Sequence, residues 1–388
     1  MLSDNKMKIV YSMDKYLDIT ANWIYYQFKS LSDSEISILC QNKENIALFP
    51  YEKVYALSDL PLWRQTLNRI IRKGFGKMCY PYHKGKIKQL SPCLIHSHFG
   101  TRGYADLELK KTLNIPLITS FYGIDATMVP LRYPYWKTRY KELFAKGDLF
   151  LVESKNMFNI LSSLGCDLNK IKIQSLGVDL GNIEMIERSF SGKGLKIFIA
   201  SSFREKKGIP DSLEAIAKMR SMLGNFTITI AGGIVDLRDS IEEGEKIDRA
   251  IEKFGLKNHV TFLGFLEHDA LIKESYKHDI FFATSKTAKS GDNEGGTNIV
   301  ILEMAASGMP ILATDHCDFS YAVGPENRKF LANENDVNSI SEQLGKLLRA
   351  DWKLIAQTNR QHIEANFDIE KQSRKLQTIY KSVVSTHN

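Results

Sequence analysis

The 388-residue chain holds five cysteines, Cys40, Cys79, Cys93, Cys166 and Cys317, an odd and scattered set with no Cys-x-x-Cys pair. That spacing argues against a disulfide framework or a thiolate zinc site and fits a reducing compartment. No apolar run approaches the roughly 18 residues of a membrane-spanning helix. The start, Met1-Leu-Ser-Asp-Asn-Lys-Met-Lys-Ile-Val, lacks the apolar stretch of a secretion signal, so a cytoplasmic location is expected. Internal repeats and low-complexity tracts are missing. So is a Gly-x-Gly-x-x-Gly after the opening strand, where the residues read Asp14-Lys-Tyr-Leu-Asp18. A dinucleotide-dependent oxidoreductase therefore loses its main support. No Gly-x-x-x-x-Gly-Lys-Ser/Thr occurs either, which disfavours a P-loop nucleotidase.

Acidic residues are absent from one long stretch. Between Pro61 and Ala105 there is no Asp or Glu, but there are nine basic residues: Arg64, Arg69, Arg72, Lys73, Lys77, Lys84, Lys86, Lys88 and Arg102. The formal charge is +7 overall, yet the rest of the chain holds 43 basic against 45 acidic residues, so the excess is local. Helical spacing puts Trp63, Leu67, Ile70 and Ile71 on one face and Arg69, Arg72 and Lys73 on another. Two readings stand. The helix packs its apolar face on the core and solvates its basic face, or the segment contacts an anionic membrane. Nucleic acid is disfavoured because no reading module accompanies the charge.

What is present is an alternation of buried strands and helices. Hydrophobic content of 43% and charged content of 25% are those of a globular chain, and the length suggests two domains. Lys8–Met13, Ile36–Cys40, Leu94–His96, Leu117–Thr119 and Leu149–Val152 read as strands, with a helix through Trp23 and Phe28. The grammar restarts with a strand at Leu195–Ala200, a helix at Ile209–Leu223, and strands at Phe226–Ala231, Val260–Phe262, Ile280–Ala283 and Ile311–Thr314. This predicts an α/β fold with parallel sheets. Ser191 to Gly194, with Lys193 between two glycines, marks the linker. The expected division is 1–190, 191–367, and a helix over 368–388 packing back on the first domain.

Two stretches carry chemistry. Ser290-Gly-Asp-Asn-Glu294-Gly-Gly-Thr-Asn-Ile-Val-Ile-Leu-Glu303-Met-Ala-Ala-Ser-Gly308-Met-Pro310 reads as a loop opening into a helix that ends at Gly308. Backbone N–H groups around Gly296, Thr297, Asn298 and Ile299, with the helix dipole, suit a diphosphate. Glu303 suits ribose hydroxyls, and Glu294 suits hydroxyls of whatever lies beyond the phosphates. The second stretch, Ala200-Ser-Ser-Phe-Arg204-Glu-Lys-Lys207-Gly208-Ile-Pro210, follows a strand, where such sheets place ligand groups. Arg204 and Lys207 would neutralise a leaving diphosphate. Taken singly, Glu294 and Glu303 also suit solvated helix ends, Lys207 a surface lysine, Asp125 a turn or N-cap, and His98 a structural histidine.

Together these stretches resemble the retaining glycosyltransferases of GT-B family 4, the glycogen-synthase and mannosyltransferase relatives. The resemblance rests on Lys207-Gly208, Glu294-Gly295 with Glu303, Gly308-Met-Pro310, Val260-Thr-Phe-Leu-Gly264 and Gly177-Val178-Asp179. In the first half it rests on His96-Ser-His98-Phe-Gly100 and Tyr122-Gly-Ile-Asp125. It implies two facing Rossmann-like domains and a nucleotide-sugar donor held mainly by the second. It also implies retention at the anomeric carbon and no metal or other cofactor. The sequence has no Asp-x-Asp pair, which the other common glycosyltransferase fold uses to hold a divalent ion. Three departures stand out. Eight residues separate the glutamates where the family has seven. Ser202 occupies the place of the family's arginine, with Arg204 two residues on. Tyr122 stands where the family has histidine, leaving His98, Tyr122 and Asp125 as candidates in the first domain. The expected acceptor is a lipid-linked saccharide of a bacterial surface polysaccharide. A sugar-nucleotide epimerase of the same fold and a non-catalytic sugar-nucleotide-binding protein are the alternatives.

Overall fold

The computed structural model describes residues 6–75, 78–192 and 194–387. Lys77 of the basic segment, Lys193 of the expected linker and the first five residues lie outside the described residues. The chain divides into two compact units, Met1–Gly177 with Ile369–Asn388, and Val178–Asp368.

The first unit is built on a seven-stranded sheet: β1 (Met7–Ser12), β2 (Ser34–Cys40), β3 (Val54–Ala56), β4 (Leu94–His98), β5 (Leu117–Phe121), β6 (Leu149–Val152) and β7 (Ile171–Ile173). Its order is β3-β2-β1-β4-β5-β6-β7, and every pair is parallel. Parallel strands need crossover helices on both faces, so both faces are buried. The two-residue period sorts the side chains into two cores. Ile9, Tyr11, Ile36, Ile38 and Leu151 face helices Asn22–Lys29 and Ile369–His387. Val10, Leu39, Phe150 and Val152 face helices Pro81–Leu90, Gly100–Leu113 and Tyr135–Lys146. The three-residue edge strands β3 and β7 escape sequence reading because three residues carry no usable period.

The helix Ile369–His387 belongs to this unit. Leu376, Ile379 and Tyr380 are buried in its core. The Tyr380 hydroxyl lies 2.7 Å from both the Tyr11 hydroxyl and His96 Nδ1, and His96 Nε2 lies 2.7 Å from Ser120 Oγ.

The second unit has five parallel strands, β8 (Leu195–Ala200), β9 (Phe226–Ala231), β10 (Val260–Gly264), β11 (Ile280–Ala283) and β12 (Ile311–Ala313), ordered β10-β9-β8-β11-β12. Its core joins Ile197, Ile199, Ile228 and Ile230 to Ile209, Leu213 and Ile216. The helix expected over Ile209–Leu223 is two, Ile209–Lys218 and Arg220–Leu223. They part at Met219, whose N–H is shared between the Ala215 and Ile216 carbonyls. Chain entry and exit are tied where Val178 N–H donates to the Phe367 carbonyl, 2.7 Å away.

Two readings of the basic segment need correction. Arg102 is buried, at 2% exposure, between Asp106, Asp14 and Ser12, so it adds nothing to a surface charge. The helix Leu62–Gly74 forms as expected but buries no residue fully, and Trp63, Leu67 and Ile70 lie outward rather than on the core, with Ile71 half-buried. Among the described residues no helix is long and apolar enough to cross a membrane.

Candidate functional site

The second unit gathers the charged candidates at the carboxyl ends of β8 and β11. After β8 the chain passes through Arg204 and a 3-10 turn, Glu205–Lys207, to Gly208. Gly208 is left-handed (φ 62°), and a Cβ there would lie 2.0 Å from the Thr284 carbonyl oxygen just beyond β11. Only glycine admits both the conformation and the approach. Thr284 Oγ1 donates to the Gly208 carbonyl and lies 2.6 Å from Ser212 Oγ, so the two strand ends are stitched together beneath the charges.

Above that seam, Lys207 Nζ donates to Glu294 Oε1 at 2.7 Å, with Ser285 Oγ on the same oxygen at 2.8 Å. Lys206 Nζ is 3.4 Å from Glu294 Oε2 and donates to the Asn293 carbonyl. Arg204 pairs with the buried Asp292 at 2.6 Å. Burial by itself would push the Glu294 carboxyl up, but Lys207 and Lys206 outweigh it and hold Glu294 well below the usual carboxylate range. Burial pulls the Lys207 ammonium below its ordinary value, although Glu294 opposes the shift. Three cations thus meet two carboxylates in a nearly dry cluster with one net positive charge, and Lys207 of that cluster lines a small cavity with Ser201, Ser285, Asn298 and Ile301.

The loop that carries Glu294 is held from behind. Its backbone N–H donates to His316 Nε2 at 3.2 Å, and His316 Nδ1 lies 2.7 Å from Glu334, which sets the imidazole's tautomer. Gly295 N–H donates to Asn293 Oδ1. Gly296 and Thr297 are buried, and the Thr297 hydroxyl has no hydrogen-bond partner. Asn298 caps the helix Ile299–Ala306, its side chain accepting from Val300 N–H, so that N–H of the first turn is taken by the protein itself. Gly308 follows the helix in the left-handed conformation (φ 75°), as its place before Met309-Pro310 leads one to expect. Glu303 lies inside the helix, buried, with Oε1 2.7 Å from His268 Nε2. Burial disfavours the His268 imidazolium, yet the Glu303 carboxylate and then Asp269 raise it above its ordinary value.

In the first unit, the ends of β4 and β5 bring His98, Tyr122 and Asp125 together. His98 Nδ1 is 2.8 Å from the Tyr122 hydroxyl, and the rings stack at 6.1 Å. His98 Nε2 is buried without a partner, and burial pushes the imidazole down to about 3. Asp125 accepts from Gly100 N–H at 2.6 Å and Tyr122 N–H at 2.8 Å, and burial raises its carboxyl to about 7. Its oxygens clamp one strand end to the other.

The sequence reading brought out Arg204, Lys207 and Glu294, and the structure joins them. It does not single out Lys206 and Asp292, which lie inside the same two stretches. It also passed over His268 and His316, whose partners are 35 and 22 residues away. Nothing local signals those pairings.

Residues 183–366, nearly the whole second unit, match the family model "Glycosyl transferases group 1". The chain is 25% identical to the "Putative colanic acid biosynthesis glycosyltransferase WcaL" of Salmonella typhimurium, over 74% of this chain and 70% of the relative. It is 26% identical to the amylovoran biosynthesis glycosyltransferase AmsK of Erwinia amylovora, over 73% and 68%. Among solved structures it is similar to HepE of Anabaena in complex with UDP and glucose. That match covers 97% of this chain and 100% of the other, with a TM-score of 0.73 and 17% identity.

Proposed function

We propose that this chain, a glycosyltransferase of GT-B fold, moves a sugar from a nucleotide-sugar donor to a saccharide acceptor in the making of a bacterial exopolysaccharide. We place it with the retaining enzymes of family 4. The observation that carries the reading is the cluster of Arg204, Lys206 and Lys207 drawn onto Asp292 and Glu294 at the ends of β8 and β11. Polysaccharide assembly comes from the names of the relatives WcaL and AmsK, and a uridine diphosphate donor accords with the UDP held by HepE.

In this reading the donor diphosphate lies between Lys207, Arg204 and the start of the helix Ile299–Ala306, where the Thr297 hydroxyl offers one more polar atom. Glu303, oriented by His268, accepts hydrogen bonds from the ribose. Glu294 turns from Lys207 toward the hydroxyls of the donor sugar. The acceptor oxygen attacks the anomeric carbon on the face the diphosphate leaves. The new C–O bond forms as the old one breaks, and the departing phosphate oxygen takes the acceptor's proton. The ammonium and guanidinium groups stabilise the charge on the leaving diphosphate without a divalent ion. The acceptor is a lipid-linked saccharide, the form in which such chains are built at a membrane.

The test is transfer from a panel of nucleotide sugars, run in excess EDTA, with Lys207→Ala and Glu294→Ala compared against the unaltered protein. Turnover should survive EDTA and fall by about 10²-fold or more in both variants, with unchanged circular dichroism. Near-normal turnover in both, or activity only with added Mg²⁺, would reject the site. Donor hydrolysis without acceptor, or interconversion of the donor sugar, would favour the binding-protein or epimerase alternatives.

A further inference from the structure

The helix Leu62–Gly74 is turned inside out. Its inward side is polar. Gln65 Nε2 donates to the carbonyls of Leu60 (2.8 Å) and Ser58 (3.3 Å). Asn68 Oδ1 accepts from Tyr82 N–H (2.8 Å), and the Arg72 guanidinium lies 4.6 Å from the centre of the Tyr80 ring. Its outward side is apolar. Trp63 is 63% exposed, Leu67 46%, Ile70 62%, and Leu62 and Phe75 at the two ends more than 70%. Trp63, Leu67 and Ile70 fall within one quarter of the helix circumference at 100° per residue. Exposed Arg69 and Lys73 flank that row on one side, and exposed Arg64, its guanidinium 5.0 Å from the Trp63 ring centre, on the other.

A soluble protein gains by burying such a row, and single exposed apolar residues need no explanation, but an amphipathic helix docked by its polar face does. We infer that the helix Leu62–Gly74 is a membrane-docking element, which lays Trp63, Leu67 and Ile70 into the interface of an anionic bilayer while Arg64, Arg69 and Lys73 reach the lipid phosphates. The charge selects the occupant. In a symmetric dimer built on this face the same three cations would meet their own copies, which repel. A bilayer carrying anionic headgroups answers both halves of the pattern: apolar depth for the row, negative charge for its rim. No acidic residue occurs within the segment from Pro61 to Ala105 that carries the helix.

The experiment is co-sedimentation of the full chain with vesicles of phosphatidylcholine alone and of phosphatidylcholine mixed with phosphatidylglycerol, each at low and high salt. The unaltered protein should pellet with the mixed vesicles at low salt, be released as salt rises, and pellet weakly with the neutral ones. Trp63→Ser/Leu67→Ser/Ile70→Ser should lose at least about tenfold in binding, and Arg64→Glu/Arg69→Glu/Lys73→Glu should lose the preference for phosphatidylglycerol. Brominated lipid should quench the tryptophan emission of the unaltered protein, and Trp63→Phe should abolish that quenching, a readout independent of how the triple variants fold. No pelleting, pelleting that neither triple variant alters, or a dimer that the serine variant makes monomeric would overturn the proposal.

Discussion

His83, His96 and His98 are buried in the first unit, and burial holds all three imidazoles neutral, His83 and His98 down to about 3. Above pH 6.5 the folded and unfolded imidazoles are alike. Below it the unfolded chain binds protons that the folded chain refuses until about pH 3, so stability falls with pH across that window. Asp125 has the opposite sign. Its folded carboxyl titrates near 7 against an ordinary 3.8, so its contribution is full below 3.8 and is lost as pH rises through 7. Three groups outweigh one, and the first unit should lose stability on acidification from pH 6.5. Hydrogen exchange in β1 and β4 measures this. The decline should become shallower in His83→Gln or His98→Gln, and an unchanged pH slope in both would show that the imidazoles are not the cause.

At the scale of elements, the seam between the ends of β8 and β11 decides where the cations stand. Gly208→Ala forces a Cβ against the Thr284 carbonyl and puts a side chain at φ 62°. We expect a loss of about 1–3 kcal/mol in the second unit, together with weaker nucleotide binding because Lys207 precedes the displaced residue. Calorimetry with and without nucleotide separates the two effects. Equal affinity in the variant would free Lys207 from this role. The same elements show what a sequence can and cannot tell. β11 is legible because a strand buried on both faces is a continuous apolar run, β8 and β9 because apolar residues recur at every second position around Lys196, Thr227 and Thr229, and Lys207 and Glu294 because each sits beside a glycine that punctuates a strand-to-helix turn. β3 and β7 are too short to show a period. His268 reaches Glu303 only through the fold. The periodicity of 62–74 shows that an apolar face exists, but not what covers it, and the inward hydrogen bonds of Gln65 and Asn68 could not be read from spacing.

At the scale of the whole molecule, the first sheet depends on a helix made far along the chain. Ile369–His387 covers one face of that sheet with Leu376, Ile379 and Tyr380. Each such burial contributes about 1.5–3 kcal/mol, and removing Tyr380 would also strip His96 Nδ1 of its partner inside the core. The sum rivals the roughly 5–15 kcal/mol by which domains are stable. Ending the chain after Asp368 should therefore unfold the first unit while the second still folds and shifts its melting temperature with nucleotide. Exchange protection that persists in β1 and β4 of the truncated chain would refute this.

That arrangement has a consequence during synthesis. The ribosome finishes all five strands of the second unit before it has made the helix that closes the first, so β1 to β7 must wait with one face covered by Asn22–Lys29 but not yet by Leu376, Ile379 and Tyr380 throughout the translation of 178–368. A product released early would carry a finished second unit and an unsealed first sheet, the kind of exposed apolar lesion that chaperones and proteases recognise. The segment 369–387 thus acts as a proofreading seal: among nascent chains, only those read through to it can hide the first core.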